Sequence, residues 1–311
     1  MDFTLYCLSG PTAVGKTELA LRWAEQFDAE ILYCDAVSFY KGMDVGSAKP
    51  NKEEQSRVPH HGIDLVPACI PYTIADYLEY AQKTIQEIHS RGKRVLITGG
   101  SGFYLKSFFA PVIDSVSVSD EIRIQVRQLE AEDGLLGLQR ALNACNPDGI
   151  EGVDMQNPRR VSRALERCIA SGKTVEQLQQ EFASQGTPFD EYPRQLCVLM
   201  RDRDELRSRV AIRTKQMLDS GLIEEVQRLL IAGIEKNSSA ASAIGYREVI
   251  EWLDVGCTDL EPLAALISQN TNRLIKKQCT WFRNQLKVDH LYEMRSNGSG
   301  NETELFKILS K

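Results

Sequence analysis

The sequence predicts an α/β fold: a parallel sheet core of the P-loop (phosphate-binding loop) type, flanked by helices and interrupted by a helical insertion domain. Three observations carry that expectation. First, Gly10-Pro11-Thr12-Ala13-Val14-Gly15-Lys16-Thr17 follows a short apolar run and precedes an amphipathic one, the strand–glycine loop–helix order that a phosphate cradle needs. Second, two later apolar runs end in Asp35 and in Gly99-Gly100-Ser101-Gly102. In open α/β sheets, ligands lie beyond the carboxyl ends of the strands. Third, the strand signal vanishes between residues 114 and 192 and then returns. The expected division is a core of residues 1–113 and 193–311 around an insertion of residues 114–192.

Taken in order, Leu5–Leu8 reads as a buried strand and Glu18–Gln26 as a helix. Ile31–Cys34 is the second strand; it delivers Asp35 beside the glycine loop, on the strand expected to neighbour the loop's own. Residues 36–50 are rich in Gly, Ser and Lys and read as loop, leading through Pro59, His60 and His61 to Asp64. Ile74, Tyr77, Leu78, Ala81, Ile85 and Ile88 line one side of a helix over residues 73–89, and Arg94–Thr98 is the third strand. Within the insertion, Ile122, Val126 and Leu129 suit one helix and Leu135–Leu142 another, with Arg159–Ile169 and Val175–Phe182 after them. Leu196–Met200 resumes the sheet. Asp204–Asp219 is a long helix stopped near Gly221, a good helix terminator. Helices follow over residues 223–231, 247–253 and 262–285, then a strand at Val288–Tyr292, a polar link over Asn297–Asn301 and a short terminal helix.

Composition narrows the class. Hydrophobic residues at 42% and charged residues at 26% match an ordinary globular protein, and no run approaches the apolar length of a membrane span. A net charge of −6 argues against a chain coated in nucleic acid but leaves room for a local basic patch. The eight cysteines form no Cys-x-x-Cys pair, and neither they nor His60 and His61 have metal-ligand spacing; reduced, mostly buried thiols are expected. The opening Met1-Asp2-Phe3 lacks the basic and apolar regions of a signal peptide, so a cytoplasmic location is expected, with monomer as the default state.

The glycine loop identifies a phosphate or diphosphate: its N–H groups and the helix N-terminus hold the anion, Lys16 adds a charge, and the Thr17 hydroxyl can ligate Mg²⁺ or a phosphate oxygen. The alternative is an ordinary glycine turn, which the flanking strand and helix disfavour. Positive charge gathers in three places: Arg159, Arg160, Arg163 and Arg167; Arg203, Arg207, Arg209, Arg213 and Lys215; and Arg273, Lys276, Lys277, Arg283 and Lys287. A single such stretch is commonly a solvated helix face, whereas three beside a phosphate loop point to a polyanion. Trp281 and Phe282 read as core, and Asp64 as a loop organiser.

With these residues in view, the sequence resembles the bacterial tRNA dimethylallyltransferases. The resemblance rests on the glycine loop, Asp35, Tyr40-Lys41-Gly42-Met43-Asp44-Val45-Gly46-Ser47-Ala48-Lys49-Pro50, His60-His61-Gly62-Ile63-Asp64, Gly99-Gly100-Ser101 with Tyr104, and Asn157 with Arg160 and Arg163. Gly221-Leu222-Ile223, Ile244-Gly245-Tyr246 and Lys277-Gln278 with Thr280-Trp281-Phe282-Arg283 continue it, so that it spans most of residues 5–285. It implies transfer of a dimethylallyl group from dimethylallyl diphosphate to N6 of the adenosine just 3′ of a tRNA anticodon, with Mg²⁺ assisting release of diphosphate. It implies that residues 10–17 and Arg209 hold the diphosphate, that Lys16, Thr17 and Asp35 are catalytic, and that Thr17 is the metal ligand. It places the anticodon stem-loop on Asp35, Ala36, Val37, Ser38, Ser101, Arg123, Arg159, Arg160, Val161, Ser162, Arg163, Arg273, Lys276 and Lys277. The chain departs from the family's pattern at Ala36-Val37-Ser38, where Ser-x-Gln is usual, at Pro158 for Asp, and at Leu274 and Ile275 for Tyr and Ala. Other readings of the same residues are a small-molecule kinase or NTPase, a non-catalytic tRNA-binding relative, and a prenyltransferase acting on free adenine nucleotide. The arginines of the insertion disfavour the first, the intact loop and Asp35 the second, and the long basic C-terminal half the third.

Overall fold

A computed structural model describes residues 3–294 and 302–309; the polar link over 297–301 lies outside them. The chain forms two compact units, Met1–Ala110 with Pro188–Lys311, and Pro111–Thr187. Residues 188–192, expected in the insertion, pack with the larger unit, where the fully buried Phe189 lies against Phe108, ring centroids 4.5 Å apart and tilted by 30°.

In the larger unit, β1 (Leu5–Ser9) runs into the glycine loop, and α1 (Lys16–Phe27) leaves it. The chain continues through β2 (Ala29–Tyr33), β3 (Tyr40–Lys41), α2 (Lys52–Arg57), β4 (His60–His61), β5 (Val66–Pro67), α3 (Ile74–Ser90), β6 (Arg94–Gly99) and α4 (Gly102–Lys106). The main sheet has the order β4-β2-β6-β1, extended by β7 (Arg194–Arg201) and β8 (His290–Met294), and every pairing in it is parallel. This corrects one expectation: β2 does not neighbour β1. β6 lies between them, so the second glycine turn separates Asp35 from the loop.

Strand alternation builds two cores. Tyr6, Leu8, Leu96, Cys197 and Leu199 face α1, where Trp23, Leu19 and Leu21 cover them. Leu5, Cys7, Val95, Ile97, Leu196 and Val198 face the opposite way, toward Tyr77, Ile85 and Ile88 of α3 and toward Phe108 and Phe282. A sheet covered on both faces explains why its strands read as continuous apolar runs.

After α5 (Asp120–Ala144), α6 (Pro158–Ser171) and α7 (Val175–Ala183) of the smaller unit come β7, α8 (Arg203–Asp219), α9 (Leu222–Ile231), a 3₁₀ turn at Ile234–Lys236, α10 (Ser238–Ala241), α11 (Tyr246–Asp254), α12 (Leu260–Gln285), β8 and α13 (Glu302–Leu309). Ser220 ends α8, and Gly221, in the left-handed region at φ 90°, opens α9 at once. A third apolar cluster joins Leu222, Val226 and Leu229 of α9 to Tyr246, Val249, Leu263 and Ile267, and it takes in Tyr40 and Met43 from the loop after β2.

The smaller unit consists of α5 (Asp120–Ala144), α6 (Pro158–Ser171) and α7 (Val175–Ala183). The two helices expected within residues 120–144 are one span broken at Gly134, whose φ of 62° and ψ of −155° stop helical continuity. Asn157 caps α6 by accepting from the Arg160 N–H, with Pro158 in the first turn, where a missing N–H costs nothing. Val126, Leu138, Leu142, Val161, Leu165 and Cys168 form its core.

Candidate active site

The glycine loop leaves β1 through backbone positions that demand its glycines. A Cβ at Gly10 would sit 2.5 Å from the Leu199 carbonyl oxygen, so no larger residue fits against β7. Ala13 is left-handed at φ 63°, a conformation that a residue with a Cβ adopts at a cost. The loop's carbonyls are occupied by cations. Lys16 Nζ donates to Gly10 and Pro11 O at 2.8 Å each, Arg209 Nε to Ala13 O at 2.7 Å, and Arg201 Nε to Val14 O at 3.2 Å. Arg201 also pairs with Glu205.

Two connected cavities open at the carboxyl ends of the strands. The smaller, about 490 Å³, is lined by Thr12, Ala13, Gly15, Lys16 and Thr17 with Arg209 and Arg213. The larger, about 610 Å³, shares Thr12, Ala13, Lys16, Asp35, Gly100 and Arg213 with it. Beyond them the larger cavity is walled by apolar groups, Tyr104, Met217, Ile244, Leu274 and Trp281 among them. One end thus gathers Lys16, Arg209 and Arg213, with the carboxylates of Glu18, Asp35 and Glu54 on the same wall, and the other is apolar and aromatic. Burial pulls the Lys16 ammonium down to about 8, against the opposing pull of the Asp35 charge, and Arg213 lowers it further. Burial also lowers the Arg213 guanidinium, which Asp35 partly offsets.

Asp35 stands where the cavities meet. Its carboxylate accepts from the Val37 N–H at 3.2 Å and from the Gly100 N–H at 3.2 Å, and the Ala36 N–H donates to Ser101 Oγ at 3.1 Å. The structure therefore brings together Thr12, Ala13, Gly15, Lys16, Thr17, Asp35, Ala36, Val37, Ser38, Ser101, Arg209 and Lys277 around the two cavities, while Gly10 and Pro11 are buried behind the loop and Val14 belongs to the core. Arg273 and Lys276 are exposed on the same helix as Lys277.

The remaining sequence-derived candidates belong to the smaller unit. Arg160 and Arg163 are 67% and 62% exposed, though Arg163 pairs with Glu166 at 3.2 Å and Arg167 with Asp114 at 2.7 Å. Arg159 and Ser162 flank them. Arg123, on α5, pairs with Asp120 at 3.0 Å. Val161 is 0% exposed and packs into the core of that unit, so its side chain offers no surface to a ligand.

The candidates that were not expected in the lining are Arg213, Gln278 and Tyr33. Arg213 was one charge among five on a helix until α8 turned it inward. Tyr33 ends β2, is 8% exposed and lines the smaller cavity close to Thr17. Its hydroxyl lies beside Thr17, and burial raises its pKa so that it stays protonated. Phe282 is core as expected, whereas Trp281 is a wall of the larger cavity. Asp64 pairs with Lys49 at 2.7 Å, and His61 with Glu30 at 2.6 Å, both organising loops.

A third device shapes the cavity wall. The Glu225 carboxylate, 2% exposed, accepts from the Asp44, Val45 and Gly46 N–H groups at 3.0, 2.8 and 3.2 Å and from the Tyr246 hydroxyl at 2.7 Å. Tyr246 Oη in turn accepts from the Ser47 N–H at 3.2 Å, and Gly46 and Ser47 line the larger cavity.

Among the described residues no group of three or more His, Cys, Asp or Glu could cage a metal. Mg²⁺ does not need such a cage: it is commonly bound by one or two protein oxygens together with substrate phosphates. The Thr17 hydroxyl in the smaller cavity fits that donor set.

Comparison with known proteins gives one consistent result. The profile of the family described as IPP transferase matches residues 38–285. The tRNA dimethylallyltransferase of Opitutus terrae is 50% identical over 286 residues, covering 92% of this chain and 91% of its own. The crystal structure of the full-length tRNA isopentenylpyrophosphate transferase from Bacillus halodurans superposes with a TM-score of 0.70 at 28% identity, over 100% of this chain and 96% of that one. A eukaryotic dimethylallyltransferase solved acting on tRNA shares the fold, with a TM-score of 0.84 at 23% identity, over 98% of this chain and 78% of that one. No helix among the described residues is long and apolar enough to cross a membrane.

Proposed function

The chain belongs to the IPP transferase family, the tRNA dimethylallyltransferases, and from that premise we propose how its paired cavities perform the transfer. The donor is dimethylallyl diphosphate. Its diphosphate lies in the smaller cavity on residues 10–17, and its allyl group points into the apolar end of the larger one. The observation that carries this reading is the polarity of the connected space: Lys16, Arg209 and Arg213 at one end, Met217, Ile244, Leu274 and Trp281 at the other, with Asp35 at the join.

The acceptor is N6 of an adenosine 3′ of the anticodon, extruded from its loop because a stacked base cannot enter a cavity of this kind. N6 attacks the allylic carbon, the N–C bond forms, the C–O bond breaks, and diphosphate leaves. Lys16, Arg209 and Arg213 meet the negative charge that grows on the departing oxygen. Asp35 accepts the proton that N6 releases and, while N6 is positive, stabilises that charge. The apolar walls keep water from the electron-poor allyl group, which water would otherwise capture. Thr17 would hold Mg²⁺, which supplies further neutralisation of the diphosphate. Arg123, Arg159, Arg160, Ser162 and Arg163 of the helical unit, with Arg273, Lys276 and Lys277 of α12, receive the phosphates of the anticodon stem-loop.

The test is direct. Protein, dimethylallyl diphosphate, Mg²⁺ and unmodified tRNA are incubated, the RNA is digested, and the nucleosides are weighed. Adenosine heavier by one dimethylallyl group is the expected product. Unmodified nucleosides, or modification of free adenine nucleotide with tRNA untouched, would contradict the reading.

A further inference from the structure

Gln278 lies on α12 and borders the larger cavity. Its side-chain amide makes two hydrogen bonds to distant backbone. Oε1 accepts from the Thr12 N–H of the phosphate loop at 2.9 Å, and Nε2 donates to the Gly100 carbonyl of the second glycine turn at 2.8 Å. The same residue, Gly100, donates its N–H to Asp35 Oδ2 at 3.2 Å. The phosphate loop and the carboxylate are thereby joined through one side chain and one backbone residue. The helix that carries the amide is held at both ends of this stretch. Ile275 and Phe282, one turn before and one turn after, are buried in the two cores of the sheet. Trp281 packs so tightly on Gly102 that a Cβ there would lie 2.5 Å from its ring.

We infer that Gln278 is a positioning residue for the transfer: it fixes the separation between the diphosphate loop and Asp35. The inference rests on the proposed role of Asp35 as proton acceptor. β6 stands between the strands that carry the two groups, so no direct ladder bond from β1 to β2 sets their spacing. The spacing sets whether N6, held at Asp35, lines up with the allylic carbon opposite its leaving group. Such alignment is steeply distance-dependent, and a misplacement of about 1 Å can cost about 10²-fold in rate. An amide meets both needs at once. The Thr12 N–H requires an acceptor and the Gly100 carbonyl requires a donor, and glutamine supplies both from one planar group of the right length.

Two variants separate positioning from bulk. Gln278→Glu keeps length and the acceptor but loses the donor to Gly100; Gln278→Met keeps length and loses both. Single-turnover transfer is measured at saturating tRNA and dimethylallyl diphosphate for these, for Asp35→Asn, and for Asp35→Asn combined with Gln278→Met. Donor affinity and melting temperature are measured alongside. Both Gln278 variants are expected to lose about 10²-fold in rate, while donor affinity stays within about threefold of wild type. The double variant is expected to be no slower than Asp35→Asn alone, because Gln278 acts through that carboxylate. Near-normal rates in both Gln278 variants beside a slow Asp35→Asn overturn the inference and leave the role of Asp35 standing. Multiplying losses in the double variant, or a fall in donor affinity that matches the fall in rate, overturn it too. A fast Asp35→Asn removes the proposed base itself.

Discussion

Lys16 is the residue whose chemistry is most exposed to measurement. Burial holds its ammonium near a pKa of about 8, so the group that must meet a diphosphate loses its charge just above neutrality. A bound anion favours the charged form. Affinity for dimethylallyl diphosphate should therefore fall as pH rises through about 8, and this step should be absent in Lys16→Met. The sign for stability is opposite. The unfolded chain keeps Lys16 protonated to higher pH than the fold does, so its contribution to stability increases as pH rises through the folded value. Thermal melts of wild type and Lys16→Met between pH 7 and 9 check that sign. Asp35 makes the second prediction at this scale. Asp35→Asn retains size and a carbonyl acceptor but not the charge, and its single-turnover rate should fall about 10²–10⁴-fold. Donor affinity should hardly change. A rate within about threefold of wild type would reduce Asp35 to an organiser of the Val37 and Gly100 N–H groups.

Among the elements, the loop between β2 and α2 shows what a pattern can and cannot reveal. Its residues 36–50 have no apolar periodicity, and nothing local predicts the short β3 within it. The order that it has comes from elsewhere: Glu225 on α9 gathers three of its N–H groups, and Tyr246 on α11 stands against Gly46. A Cβ at Gly46 would lie 2.6 Å from that ring, so Gly46→Ala must displace the cavity wall. A stability loss of about 1–3 kcal/mol is expected from such overpacking. KM for the donor should rise at the same time, and chemical denaturation with steady-state kinetics would measure both. By contrast, the three central strands, α1, α3 and the break near Gly134 were legible because each carries its own apolar period or its own glycine. α2 was not, since none of its residues is buried and it therefore has no apolar stripe to read. The site divides the same way. The loop, Asp35 and Ser101 announce themselves by position after a strand. Arg213 and Gln278 reach the cavity only through the packing of α8 and α12, and no spacing in the sequence records that. The order β2-β6-β1 was likewise invisible, because chain order says nothing about which strand slips between two others.

Across the whole molecule, the net charge of −6 means that any RNA must be held by local clusters against a repulsive background. Arg160 lies 3.7 Å from the half-exposed Asp154 and can exchange that carboxylate for a phosphate at little cost, whereas Arg163 would have to share itself between a phosphate and the Glu166 carboxylate, which is only 8% exposed. Replacing both with Ala should lower the slope of log affinity against log salt by about one unit per lost phosphate contact, leaving donor binding unchanged. Filter binding of tRNA across a salt series measures it; an unchanged slope would leave these arginines as solvated surface.

The hydrogen bond between Thr12 and Gln278 joins residues 266 positions apart, and β1 also pairs with β7 from the far side of the smaller unit. On a ribosome adding about 5–20 residues per second, the phosphate loop therefore waits roughly 15–50 s before the partner that sets its distance to Asp35 has been made. For the earlier part of that wait, until β7 (residues 194–201) has been made, β1 also has no neighbour on its β7 side, and the nascent chain carries a loop that can attract anions beside an unpaired strand edge. Transfer activity in arrested nascent chains should accordingly switch on late and abruptly, once α12 has cleared the exit tunnel, rather than grow with each added element.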